Sequence, residues 1–161
     1  MKLFFDTEFT GLQQATTLIS LGIIAEDGRT FYAEFTDYDK SQINDWLQKN
    51  VIDNLHLTEC IKGFAFRDTR AILDSPNGKT ECRGDTAWIR KILLKWLAQF
   101  GTVEFWSDCL AYDWVLLQGL IADYSNGYPV LPKNVYYIPY DLATYFKVLG
   151  IDPDISRKEF S

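Results

Sequence analysis

Residues 2–9, KLFFDTEF, set two carboxylates, Asp6 and Glu8, into a run of otherwise strand-forming, largely apolar residues. Side chains alternate between faces along an extended chain, so Asp6 and Glu8 project together while Leu3, Phe5, Thr7 and Phe9 take the other face. Held roughly 6–7 Å apart at an effective dielectric near 20, the two charges repel by about 2–3 kcal/mol. The flanking Leu3, Phe4, Phe5 and Phe9 predict a buried strand, in which such a pair needs a compensating cation or a shared proton. A hard divalent ion, held through carboxylate oxygens and water, meets that need. The competing reading is an edge strand whose polar face is simply solvated.

Two further apolar runs follow, TLISLGIIAE and TFYAEFTD, joined through Asp27-Gly28, a hairpin signal because glycine supplies the positive φ of a tight turn. The chain therefore starts as three antiparallel strands. Residues 41–55 predict a helix capped by Ser41, with Ile43, Trp46, Leu47, Val51 and Leu55 at helical spacing. Residues 85–100 predict the clearest helix, with Ile89, Ile92, Leu93, Trp96, Leu97 and Phe100 on one face and Gly101 as C-cap. TVEFWSD then predicts a buried strand, AYDWVLLQGLIADY a helix, and YDLATYFKVLG a short helix ending at Gly150. A helix of that length between strands permits parallel pairing with an earlier strand, so the order implies an α/β domain with a mixed sheet.

At 161 residues the expectation is one domain, residues 1–161. With no apolar run near the length that spans a bilayer and no leader pattern, the sequence predicts a cytoplasmic chain with no membrane partner. Cys60, Cys82 and Cys109 lack zinc-site spacing. A net charge of −6 excludes a protein that coats nucleic acid through a broad basic surface. It leaves room for an enzyme whose acids hold divalent ions, since bound ions reverse the field that a phosphate meets. Aromatics are plentiful at 16%, mostly for the core, with an exposed few able to stack on bases.

The string FDTEFTGL, residues 5–12, resembles the first motif of the DEDD exonucleases, the superfamily of proofreading exonucleases and RNase T. The resemblance implies an RNase H-like α/β fold, with a mixed five-stranded sheet and helices on both faces. It implies that Asp6 and Glu8 bind catalytic metal, two Mg²⁺ or Mn²⁺ ions, and that Phe9, Thr10, Gly11 and Leu12 meet the 3′-terminal nucleotide. A second family segment, an aspartate in the first turn of a helix after a strand, is matched by Asp113 in FWSDCLAYDWVLLQGL, which the resemblance makes the third catalytic and metal-binding carboxylate. A first-turn position suits an anion, and Leu116, Leu117 and Leu120 share its face. Asp108 is the weaker candidate, placed as a cap or loop residue.

The family's third segment, a general base followed by a fourth carboxylate, has no match. His56, the single histidine, comes too early and is expected to be structural or on the surface. Tyr137 and Asp141 have a Tyr-x-x-x-Asp spacing, but Pro139 interrupts the helix that would carry both. The expectation is that this segment lies beyond Ser161, and that Arg157 and Lys158 are solvated charges. The activity implied is 3′–5′ hydrolysis of single-stranded RNA or DNA, RNA slightly favoured, releasing nucleoside 5′-monophosphates, with a homodimer left open. The rivals are a haloacid-dehalogenase-type phosphatase, whose D-x-D-x-T motif FFDTEFT approaches but whose second acid should be shorter, and a catalytically silent nucleic-acid-binding or protein-binding module.

Overall fold

The computed structural model describes residues 1–57 and 70–152. Seven strands form one sheet: β1 (Lys2–Phe9), β2 (Leu18–Ala25), β3 (Thr30–Phe35), β4 (Ala71–Asp74), β5 (Lys79–Gly84), β6 (Glu104–Ser107) and β7 (Tyr140–Asp141). Among the described residues the α-helices are α1 (Asp45–Asn50), α2 (Thr86–Leu97), α3 (Ala111–Ile121) and α4 (Leu142–Leu149). Across the sheet the order is β4-β5-β3-β2-β1-β6-β7. The mixed α/β class is as the sequence predicts. The strand β1–β2–β3 meander is antiparallel, and β6 joins β1 in parallel through Lys2–Phe4.

The expected five strands are β3-β2-β1-β6-β7; the β4–β5 hairpin adds two more at the β3 edge, with β5 parallel to β3. The hairpin turns at Pro76-Asn77-Gly78, where Gly78 takes φ 77°, and Asn-Gly is a turn signal that the sequence carries openly. At the other turn, Gly28 takes φ 90° as its Asp-Gly setting requires.

β1 is neither an edge strand nor buried on both faces. Leu3, Phe5 and Thr7 are buried, whereas Lys2, Phe4, Asp6 and Glu8 are exposed. Burial of the whole strand, expected from its phenylalanines, is therefore corrected: Phe4 keeps 37% of its surface exposed and shares the open face with the acids. The closed face packs on α2 and α3, where Phe5 meets Phe105 edge-on at 5.5 Å and Ile89, Leu93, Trp96, Leu97, Leu117 and Ile121 complete the core.

The helix expected over 41–55 is broken. Asn44, not Ser41, caps α1 by accepting from the Leu47 N–H at 2.9 Å, and single turns of 3₁₀ helix precede and follow it, Lys40–Gln42 and Ile52–Asn54. Leu47 and Val51 pack on Ile19. α2 starts on Asp85, whose side chain accepts from Trp88 N–H, but it ends at Ala98 in right-handed conformation, so Gly101 is not its cap. α4 does end as predicted, on Gly150 at φ 69°. Among the described residues no helix is long and apolar enough to cross a membrane. Cys82 is buried and Cys109 exposed, both free, while Cys60, Arg157 and Lys158 lie outside the described residues.

Candidate functional site

Asp6 and Glu8 reach the open face of the central strand as the two-residue period dictates. They line a cleft of about 280 Å³ with Ser20, Gly22 and Tyr32 from the neighbouring strands and Asn50, Val51, Asn54 and Leu55 from the end of α1 onward. A larger hollow of about 470 Å³, lined by Arg29, Lys91 and Lys95 among others, shares no residue with it and contains none of the expected site acids.

Asp113 sits in the first turn of α3 and is buried. It approaches β1 from the edge that β6 leaves unpaired beyond Phe4. There its Oδ1 accepts from the Thr7 backbone N–H at 3.0 Å and from Thr7 Oγ1 at 2.5 Å. A buried carboxylate is thus satisfied by the strand residue lying between Asp6 and Glu8, and neither bond uses Oδ2.

Both open-face acids are exposed, yet protein atoms crowd them enough to raise each pKa above its ordinary value. For Asp6 loss of water is the main cause and the Asp113 charge the next, partly offset by the Thr7 N–H. Glu8 rises through loss of water, then Asp6, then Asp113. Asp6 and Glu8 therefore both feel the Asp113 charge, and Glu8 that of Asp6 as well. Among the described residues, however, no three His, Cys, Asp or Glu side chains gather as a ready metal cage. What the structure holds is a pair of oxygen donors on one face and a third acid tied to β1.

Of the other residues implied by the motif, Phe9 stacks on Tyr112 of α3, ring centroids 5.5 Å apart. Thr10 is buried and its hydroxyl bonds Gln42 and approaches Thr16 and Thr17, so it organises the loop. The Gly11 N–H donates to Thr16 Oγ1 at 3.1 Å. Leu12 is 77% exposed. Asp108 follows β6 in the loop and does not cap α3, whose cap position is Leu110. Asp141 caps α4 through Thr144 N–H and also accepts from Leu110 N–H, which gives its carboxylate a structural use. His56 is half-exposed, stacked on Tyr32 with Nε2 3.2 Å from Glu81.

Motif reading passed over the residues that close the cleft: Ser20, Gly22, Tyr32, Asn50 and Asn54. Gly22 and Tyr32 were traceable, since strand pairing sets both beside Asp6, Gly22 opposite Asp6 and Tyr32 opposite Gly22. An added Cβ at Gly22 would meet nothing within 4 Å, so the cleft floor there is open.

No protein-family model matches the chain. Two curated proteins of Mycobacterium tuberculosis, one from strain CDC 1551 and one from strain H37Rv, do match; each is named a 3′-5′ exoribonuclease. The chain is similar to both. Each is 29% identical to it over 135 residues, 83% of this chain and 68% of the relative. The matched stretch is most of the described fold rather than one motif.

Proposed function

We propose that this chain is a 3′–5′ exonuclease acting on single-stranded nucleic acid, RNA in preference to DNA, with two Mg²⁺ or Mn²⁺ ions. The observation that carries the reading is the placing of Asp6 and Glu8, on a central strand at a cleft, with Asp113 bonded to the residue between them. The similarity to the two M. tuberculosis exoribonucleases supports the same activity.

The donor set suits a hard divalent cation. Asp6 and Glu8 are crowded oxygen donors whose pKa values are raised first by loss of water and then by neighbouring carboxylates, and a cation would offset both. Bound ions of this kind supply an activated water and offset charge on a phosphodiester. The chain's own contribution is positional. Asp6 and Glu8 would be ligands and Asp113 the third carboxylate, which the Thr7 bonds hold against β1 at the residue between them. Phe9, stacked on Tyr112, and the exposed Leu12 follow the acids in the chain and would be offered to the terminal nucleotide from the loop after β1. The cleft, at about 280 Å³, is of a size in keeping with one terminal nucleotide. The product is a nucleoside 5′-monophosphate.

The test is incubation of the chain with single-stranded RNA and DNA labelled at either end, with and without Mn²⁺. The expected result is metal-dependent shortening from the 3′ end, faster on RNA. Hydrolysis of para-nitrophenyl phosphate with no shortening would instead establish the phosphatase reading, and binding without hydrolysis the silent module.

A further inference from the structure

Glu34 is fully buried, with no exposed surface, on the same sheet face as Asp6 and Glu8. Strand registers set Glu8, Ser20, Glu34 and Arg83 in one row across β1, β2, β3 and β5, and Asp6, Gly22, Tyr32 and Glu81 in the next. Burying a carboxylate is costly unless donors surround it, and an apolar side chain would fill the same space without that cost. The use of the acid therefore lies in what it holds. Its Oε1 accepts from the Leu57 N–H at 2.9 Å and from the Tyr32 hydroxyl at 3.2 Å, while Arg83 Nε stands 3.9 Å from Oε2. Tyr32 in turn stacks on His56, centroids 4.5 Å apart, and His56 Nε2 lies 3.2 Å from Glu81.

These contacts fasten residues 56–57 to the sheet. The residues just before them, Asn50, Val51, Asn54 and Leu55, are the wall of the cleft facing Asp6 and Glu8. Between α1 and Leu57 that wall contains only the single 3₁₀ turn Ile52–Asn54, with Val51 and Leu55 as its caps. One such turn, with poor internal hydrogen-bond geometry, does not set its own position. Its near end is held by Val51, which packs with Leu47 on Ile19, and its far end by the bonds to the sheet at Leu57.

We propose that Glu34 is a positioning residue for the cleft: by holding Leu57, and His56 through Tyr32, it places Asn50, Asn54 and Leu55 where they meet the terminal nucleotide of the substrate. The clamp rests on the hydrogen bonds, and its effect on substrate rests on the exonuclease reading.

The experiment compares wild type with Glu34→Ala, Glu34→Gln and Tyr32→Phe. In the metal-free, substrate-free chain, Glu34→Ala should speed hydrogen exchange of the Leu57 amide by about tenfold or more while β1 and β2 amides keep their rates. Glu34→Gln retains an oxygen for Leu57 and should exchange nearly as wild type; Tyr32→Phe, which loses the hydroxyl and keeps the ring, should fall between. With single-stranded RNA and Mn²⁺, Glu34→Ala should raise KM about tenfold with kcat held within about twofold, and Glu34→Gln should restore KM. Unchanged Leu57 exchange in Glu34→Ala, or a rise matched in β1 and β2, overturns the clamp; should Glu34→Ala fail to fold, Glu34→Leu, which fills the space without an acceptor, is read in its place by the same two outcomes. Loosened exchange with unchanged KM overturns the positioning role. A wild-type chain that degrades no nucleic acid overturns the exonuclease reading and with it the effect on substrate, while exchange still decides the clamp.

Discussion

Crowding at Asp6 and Glu8 sets a sign for the pH dependence of the cation-free protein. Both folded pKa values lie above the ordinary carboxylate values of 3.8 and 4.5, so each ionised acid costs the fold stability at neutral pH. That cost is relieved as pH falls through the raised folded values, and is gone below the unfolded ones. Asp6→Asn should therefore melt higher than wild type in chelator at pH 7, with the gap closing as pH falls toward the ordinary values. The same variant should lose more activity than the roughly 100-fold that removal of an outer-shell partner costs, and should show a smaller melting-point gain on adding Mn²⁺. An unchanged Mn²⁺ shift would remove Asp6 from the ligand set. Thr7→Val tests the partner of Asp113: it removes the hydroxyl donor and leaves a buried carboxylate with the backbone bond alone. Urea unfolding should show a loss of about 1–3 kcal/mol. The Thr7 role was not legible in the sequence, because its partner is 106 residues away.

Among the elements, those with strong local signals formed as predicted and those governed by competing local bonds did not. α2 has an aspartate cap and an apolar stripe long enough to pack, and its buried residues Ile89, Leu93, Trp96 and Leu97 all come from that stripe. The 41–55 segment has similar spacing, but three asparagines, Asn44, Asn50 and Asn54, bond nearby backbone and interrupt it. Asn44→Ala should lower stability by about 1 kcal/mol through loss of the α1 cap. Because α1 leads into the cleft wall, the substitution should also raise KM more than it lowers kcat. Equal changes in both would separate α1 from substrate binding.

For the whole molecule, the closed face of the sheet supplies stability and the open face carries the candidate acids Asp6 and Glu8. Phe105, fully buried between Phe5 and Trp114, belongs to the first. Phe105→Ala should cost about 3–5 kcal/mol, a large fraction of the ~5–15 kcal/mol that holds a typical domain together. The open face mixes Lys2 and Lys79 with Glu81 and Glu104, in a chain of net charge −6. Few phosphates can be neutralised on it directly. A plot of log KM against log salt should accordingly have a slope no steeper than about 2, as expected of fewer than about three phosphate contacts to a single strand.

Read alone, the chain determined what backbone geometry makes periodic: the shared face of Asp6 and Glu8, the Asp27-Gly28 turn, the stripe of α2, and Asp113 in a first helical turn. Each depends on residues a few positions apart, where covalent geometry leaves little choice. Only the tertiary structure decided that β5 lies beside β3, that one face of β1 stays open, that Asp113 bonds Thr7, and that Glu34 is buried beneath the cleft wall. Those outcomes depend on which distant segments meet, and the spacing of side chains along one strand does not say which strand will stand beside it.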